Sequence, residues 1–175
     1  GFPESFAARF SALPTQGKPR RKLPPPPAHS GEVLVVEKDA RANAVSMGHP
    51  LSITRADDDF YPLYLAGSYL GEHRTFNGLL MIELRQKRGL NYGDYAYVEN
   101  FIQDGGTTFP LTNIARRQQH FEIWLRPVAP QTATFAIRGA LFELDRLVRE
   151  GIPAAGFQAT REFLLHYVDL WAQDP

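Results

Sequence analysis

From Pro130 to Arg149 the residues Ala133, Ala136, Ile137, Ala140, Leu141, Leu144, Leu147 and Val148 recur at steps of three and four. That spacing predicts a long one-sided helix, and Gly151-Ile152-Pro153 supplies its stop. Just upstream, His120 to Arg126 alternates. Phe121, Ile123 and Leu125 form one face, and His120, Glu122, Trp124 and Arg126 the other, as in a half-buried strand.

The rest of the chain repeats this mixture. Phe6, Phe10 and Leu13 predict a short helix over Glu4 to Leu13. Glu32 to Glu37 and Ala42 to Gly48 read as strands, the second ending at Gly48-His49-Pro50. Asp57, Asp58 and Asp59 offer N-cap acids to a helix with Phe60, Leu63, Tyr64, Gly67 and Leu70 on one face and Gly71 at its end. A further helix is expected from Thr75, a cap, to Arg88. Phe76, Leu79, Leu80 and Leu84 are its buried stripe and Gly89 its left-handed terminator. Leu90 to Val98 reads as a strand, and Phe157, Leu164, Val168 and Trp171 mark a last helix. Helices mixed with strands, at least two of them hairpin-compatible, predict an α+β fold: a mainly antiparallel sheet with helices packed on one face.

With 175 residues, 43% of them hydrophobic, the chain has the mass for a single domain with one sizeable core. Residues 14–30, with four consecutive prolines at Pro24 to Pro27, read as an extended connecting segment within it. The chain opens at Gly1-Phe2-Pro3 and stops inside a helical pattern near Trp171, so it is expected to be a piece of a longer polypeptide.

Several function classes are excluded by composition. Lys plus Arg number 19 and so do Asp plus Glu, which leaves no basic surplus for a nucleic acid or an anionic membrane. No apolar run reaches the ~18 residues of a membrane span. Without cysteine there is neither a disulfide framework nor a thiolate metal site. The histidines are His29, His49, His73, His120 and His166, and no two stand one helical turn apart. Neither His-Glu-x-x-His nor His-x-x-Glu-His is present, so no metal ligands are assigned. A glycine-rich phosphate cradle and a Gly-x-Ser-x-Gly elbow are missing as well.

The informative stretch surrounds Gly89. Arg85 falls in the last turn of the expected helix, and Tyr92 opens the strand that leaves the reversal. A guanidinium and a phenol thereby converge beside a sheet. Arginine offers a rigid fork of donors to a peptide carbonyl. A neutral tyrosine hydroxyl can donate to an oxygen that becomes negative during attack. A purely structural assignment stands beside this one, in which Arg85 satisfies helix-end carbonyls and Tyr92 fills the core.

Leu84-Arg85-Gln86-Lys87-Arg88-Gly89-Leu90-Asn91-Tyr92 resembles the C-terminal-half signature of the insulinase, pitrilysin and mitochondrial-processing-peptidase superfamily, zinc metallopeptidases with an inverted zinc motif. The similarity runs from about Phe6 to Tyr167 and takes in Leu13-Pro14, the proline-rich connection, Gly48-His49-Pro50, Asp58-Asp59-Phe60-Tyr61, Leu70-Gly71 and Arg149-Glu150-Gly151-Ile152-Pro153, in the family's order. Departures are Gln86 for the usual acid, Asn91 for a small residue, and Gly156-Phe157 for a Glu-Leu pair.

The resemblance implies the non-zinc half of a closed proteolytic chamber. Arg85 and Tyr92 would bind the backbone of an unfolded peptide, and Tyr92 would assist catalytically at the scissile carbonyl. Zinc would sit in a homologous partner half, on the same polypeptide or a separate subunit, with no cofactor in this chain. The fragment would be inactive alone. Alternatives are a catalytically inactive scaffold of the same fold, or a peptide-binding and assembly module using an exposed sheet edge. Bacterial relatives of this type are often exported, which favours the periplasm over the cytoplasm.

Overall fold

The computed structural model describes residues 2–11, 13, 14, 16, 17, 31–71, 78–98 and 119–173. In chain order these form α1 (Phe2–Phe10), β1 (Asn43–Leu51), α2 (Phe60–Gly71), a π-helical turn (Met81–Gln86), β2 (Asn91–Tyr97), β3 (Gln119–Val128), α3 (Ala133–Glu150) and α4 (Ala154–Gln173). A single 3₁₀ turn, Pro130–Thr132, leads into α3. The expected α+β architecture is present. The three strands are antiparallel in the order β1-β3-β2, and helices pack on one face.

The alternation of β3 organises the core. Phe121, Ile123 and Leu125 are buried under the helices. Val45 and Met47 of β1 stand opposite Leu125 and Ile123, and Asp94 and Ala96 of β2 stand opposite the same two residues. On the other face Tyr97 meets Trp124 edge-on, and the Arg126 guanidinium lies 4.7 Å from the Trp124 ring centre. From the helical side come Phe60 and Leu70 of α2, Leu80 and Leu84 around the π-helical turn, and Ala136 and Ala140 of α3.

Several local expectations change. Glu32 to Glu37 forms no strand, and Val33, Leu34, Val35 and Val36 are 77–85% exposed. Strand propensity was present there, but no partner strand is found among the described residues. β1 continues through His49-Pro50 to Leu51. Among the described residues β1 is an outer strand of the sheet, a position where a proline is tolerated because one row of N–H groups faces away from the ladder. Asp57 closes a local turn with Thr54, accepting from its amide at 2.7 Å and its hydroxyl at 2.8 Å, and does not cap α2.

On α3, Leu141 and Val148 lie off the buried side at 48% and 76% exposure, while Glu143 turns inward. On α4, Phe157 and Val168 are exposed too, at 39% and 50%, and the contacts of α4 run to α2. There a Cβ at Gly156 would stand 2.7 Å from Tyr69 Cε2, so this departure from the family's usual residue makes room for a ring. Most of the proline-rich connection, together with Thr75, Phe76, His29, His73 and the Trp171 side chain, lies outside the described residues.

Candidate functional site

Leu79, Leu80 and Leu84 are buried as their spacing predicts, but they are carried through a π-helical turn. The Lys87 amide reaches back to the Ile82 carbonyl at 3.0 Å, five residues earlier. Gly89 then adopts a φ of +62°, the left-handed conformation expected of a terminator. Its amide donates to the Arg85 carbonyl at 2.8 Å and that of Leu90 to the Leu84 carbonyl at 3.0 Å, so the closing bond is one residue wider than in an ordinary glycine-terminated helix. Wide turns of this kind are frequent at functional sites.

Arg85 lies in this turn. Its Cζ lies 4.4 Å from the centre of the Tyr92 ring, well within cation–π range. Neither residue takes the purely structural part. Tyr92 is 65% exposed and does not fill the core. The guanidinium that satisfies a carbonyl of the turn belongs to Arg88, which donates to the Glu83 carbonyl and to Glu83 Oε2. Arg85 makes one lateral contact, Nη1 to Met81 Sδ at 3.6 Å, and among the described residues no carboxylate is in ion-pair contact with it. A stacked guanidinium keeps its in-plane N–H fork available, and the phenol keeps its hydroxyl edge.

The support beneath the pair is polar. Glu83, mostly buried, bonds Lys87 at 2.6 Å, and that bond foremost, with Arg88, holds its carboxyl below the usual range against the opposing effect of burial. Asp94 lies behind Tyr92 on the same face of β2, at 1% exposure. Asn91 Nδ2 donates to Asp94 Oδ1 and, at 3.2 Å, to the Gly93 carbonyl. Asp94 Oδ2 and Asn91 Oδ1 are buried without a hydrogen-bond partner. Burial pushes the Asp94 carboxyl up to about 6, although the Asn91 bond and the Arg85 charge pull it down. Asp94 was not singled out from the sequence. The available signal was an acid in phase with Tyr92 and Ala96 in a strand, where inward positions are normally apolar.

Among the described residues no three His, Asp or Glu side chains are grouped so as to hold a metal ion. His120 pairs with Glu122 at 3.5 Å, and His49 Nδ1 lies 3.2 Å from the Pro50 carbonyl. No helix among the described residues is long and apolar enough to cross a membrane.

Comparison with known proteins decides the family. The model of the peptidase M16 inactive domain matches residues 5–164. The chain belongs to the peptidase M16 inactive-domain family. Among solved structures, the peptidase M16 inactive domain from Pseudomonas fluorescens matches with a TM-score of 0.71 at 21% identity. The alignment covers 94% of this chain and 36% of that one, so the chain spans about a third of the protein whose fold it shares. Among curated proteins none matches. The M16 inactive domain is the insulinase-like, non-catalytic half foreseen from the Leu84–Tyr92 signature.

Proposed function

We propose that this M16 domain is the substrate-gripping half of a zinc-dependent endopeptidase for unfolded peptides, and that it does not cleave by itself. The observation that carries this reading is the Arg85–Tyr92 pair, stacked at 4.4 Å with the phenol in solvent reach beside a reversal set by Gly89. The described residues do not fit zinc. Activation of water is therefore assigned to a zinc-bearing homologous half, on the same polypeptide or a partner subunit.

What this chain's own residues do follows from their chemistry. The Arg85 fork donates to peptide carbonyls and so grips substrate before and during reaction. Tyr92 donates its hydroxyl proton in a hydrogen bond to the scissile carbonyl oxygen as negative charge develops there. Stacking limits the orientations of both groups, so less entropy is lost when a peptide arrives.

In the complete enzyme, Tyr92→Phe keeps the ring and its stacking and removes that donor. Turnover should fall ~10²- to 10³-fold with little change in KM. Arg85→Ala should raise KM as well as lower kcat, because its grip is not confined to the transition state. Steady-state kinetics on a quenched unfolded peptide, with thermal denaturation as a control of folding, reads both. Turnover of Tyr92→Phe within a few-fold of the parent would remove its catalytic role. That result favours a scaffold or assembly role, a reading to which the exposed Val33–Val36 stretch lends itself.

A further inference from the structure

α3 carries apolar side chains on two faces. One face, with Ala136 and Ala140 at its centre and Ile137 and Leu144 beside them, packs into the core. The outer face of an amphipathic helix is normally polar. Here it holds Phe135, Leu141, Phe142 and Val148, which are 48–76% exposed. Arg138 and Asp145 lie among them and are exposed as well. A contiguous apolar patch of this kind marks an interaction surface. Gly139 fixes how the helix is seated, because a Cβ there would stand 2.7 Å from Leu84 Cδ2. A groove of about 670 Å³ with Leu84, Arg88, Phe135 and Phe142 in its lining leaves room beside α3 for the side chains of a second helix.

The order of the residues says what that helix is. About the point between Leu141 and Phe142 the exposed stripe is complementary to its own reversal. Arg138 lies as far before that point as Asp145 lies after it, and Phe135 is related to Val148 in the same way. Two identical helices packed antiparallel about a two-fold axis bring each position level with its counterpart under this reversal. Apolar residues then stand level with apolar ones, and each Arg138 stands level with an Asp145 of the other copy. A parallel arrangement would instead set Arg138 against Arg138 and Asp145 against Asp145.

The two charges do not satisfy each other within one chain, since seven residues of helix separate them by about 10.5 Å along the axis. Among the described residues Arg138 makes no ion pair. Asp145 bonds Arg149 through Oδ2, which leaves Oδ1 for a second cation.

We propose that α3 forms the interface of a symmetric homodimer. It packs antiparallel on the α3 of a second copy, with Leu141 and Phe142 at the two-fold axis and Arg138 paired to Asp145 of the second copy on either side of it. This is independent of the role given to Arg85 and Tyr92. One helix per protomer makes a small interface, so association in the micromolar range is expected.

Sedimentation velocity of the complete protein from about 1 to 100 µM should show a monomer passing into a dimer. Arg138→Asp sets carboxylate against carboxylate at both pairs and should raise the dissociation constant at least about tenfold. Asp145→Arg should do the same with opposed guanidiniums. The protein carrying both substitutions has the charges exchanged and should dimerise within a few-fold of the parent. Both positions are exposed, and circular dichroism confirms that each variant keeps its helices.

A parent that stays monomeric over this range overturns the proposal. So does a dimer indifferent to either reversal, or a double variant that fails to recover it. A complex formed only with a separate zinc-bearing half, and lost in Arg138→Asp, also overturns it and gives this face to that half.

Discussion

Asp94 and the Val33–Val36 stretch stand at opposite ends of the burial scale, in the reverse of the order that transfer free energies favour. The carboxylate is 1% exposed, while the four aliphatic side chains are 77–85% exposed. Burying a carboxylate costs free energy, and burying aliphatic surface gains it. The difference lies in pairing. β2 is locked to β3 from Asn91 opposite Val128 to Tyr97 opposite Glu122, and once that register is set position 94 faces the core whatever residue it holds. Val33–Val36 has no ladder among the described residues. An unbroken apolar run also needs cover on both faces, whereas β3, apolar on alternate residues, needs it on one.

The largest expected effect is the contrast between central strand and unpaired stretch. Leu125 has no exposed surface and sits between β1 and β2. Leu125→Ala should cost about 2–5 kcal/mol in chemical denaturation, through lost transfer energy and an unfilled cavity. A cost below about 1 kcal/mol would show that the sheet centre relaxes around the gap, and the contrast would break.

Asp94→Asn sharpens it from the other side. Burial lifts this carboxyl from an ordinary 3.8 to about 6, so the folded chain holds the proton more tightly than the unfolded one. Stability is then greatest below about pH 4, falls as pH rises to about 6, and stays at the lower value above that. At 1.36 kcal/mol per pH unit the fall is on the order of 3 kcal/mol. The asparagine variant should lose this pH dependence and gain up to that amount at neutral pH, with no gain near pH 3. Urea denaturation at the two pH values checks it. A variant less stable than the parent at neutral pH would mean that the carboxylate is better solvated than its position implies.

The smallest effect belongs to the exposed stretch. Val35→Thr preserves the branched shape and should change the unfolding free energy of this chain by less than about 0.5 kcal/mol. A loss above about 2 kcal/mol in the complete protein, with no loss here, would show that another part of that protein covers Val33–Val36.

Much of this outcome was legible in the sequence. The buried side of β3, the span and core face of α2, the terminator at Gly89 and the stop at Gly151 all follow from residues within a few positions of one another. Gly151 has a φ of +74° and its amide closes α3 on the Leu147 carbonyl at 2.9 Å. The Arg85 and Tyr92 positions were legible for the same reason, since one helix end and one turn bring them together.

Tertiary structure alone decided three matters. The π-helical turn depends on one residue's difference in hydrogen-bond reach, to which the three-and-four spacing of Leu80 and Leu84 is indifferent. The inward turn of Glu143, in place of Leu141 or Val148, depends on how α3 rolls against the π-helical turn and on the Arg146 guanidinium, 2.8 Å from Glu143 Oε2. The burial of Asp94 and the exposure of Val33–Val36 depend on which strand found a partner. Periodicity and turn chemistry are local and can be read along the chain, whereas strand pairing and helix roll are settled by residues far apart in sequence that meet only in the folded protein.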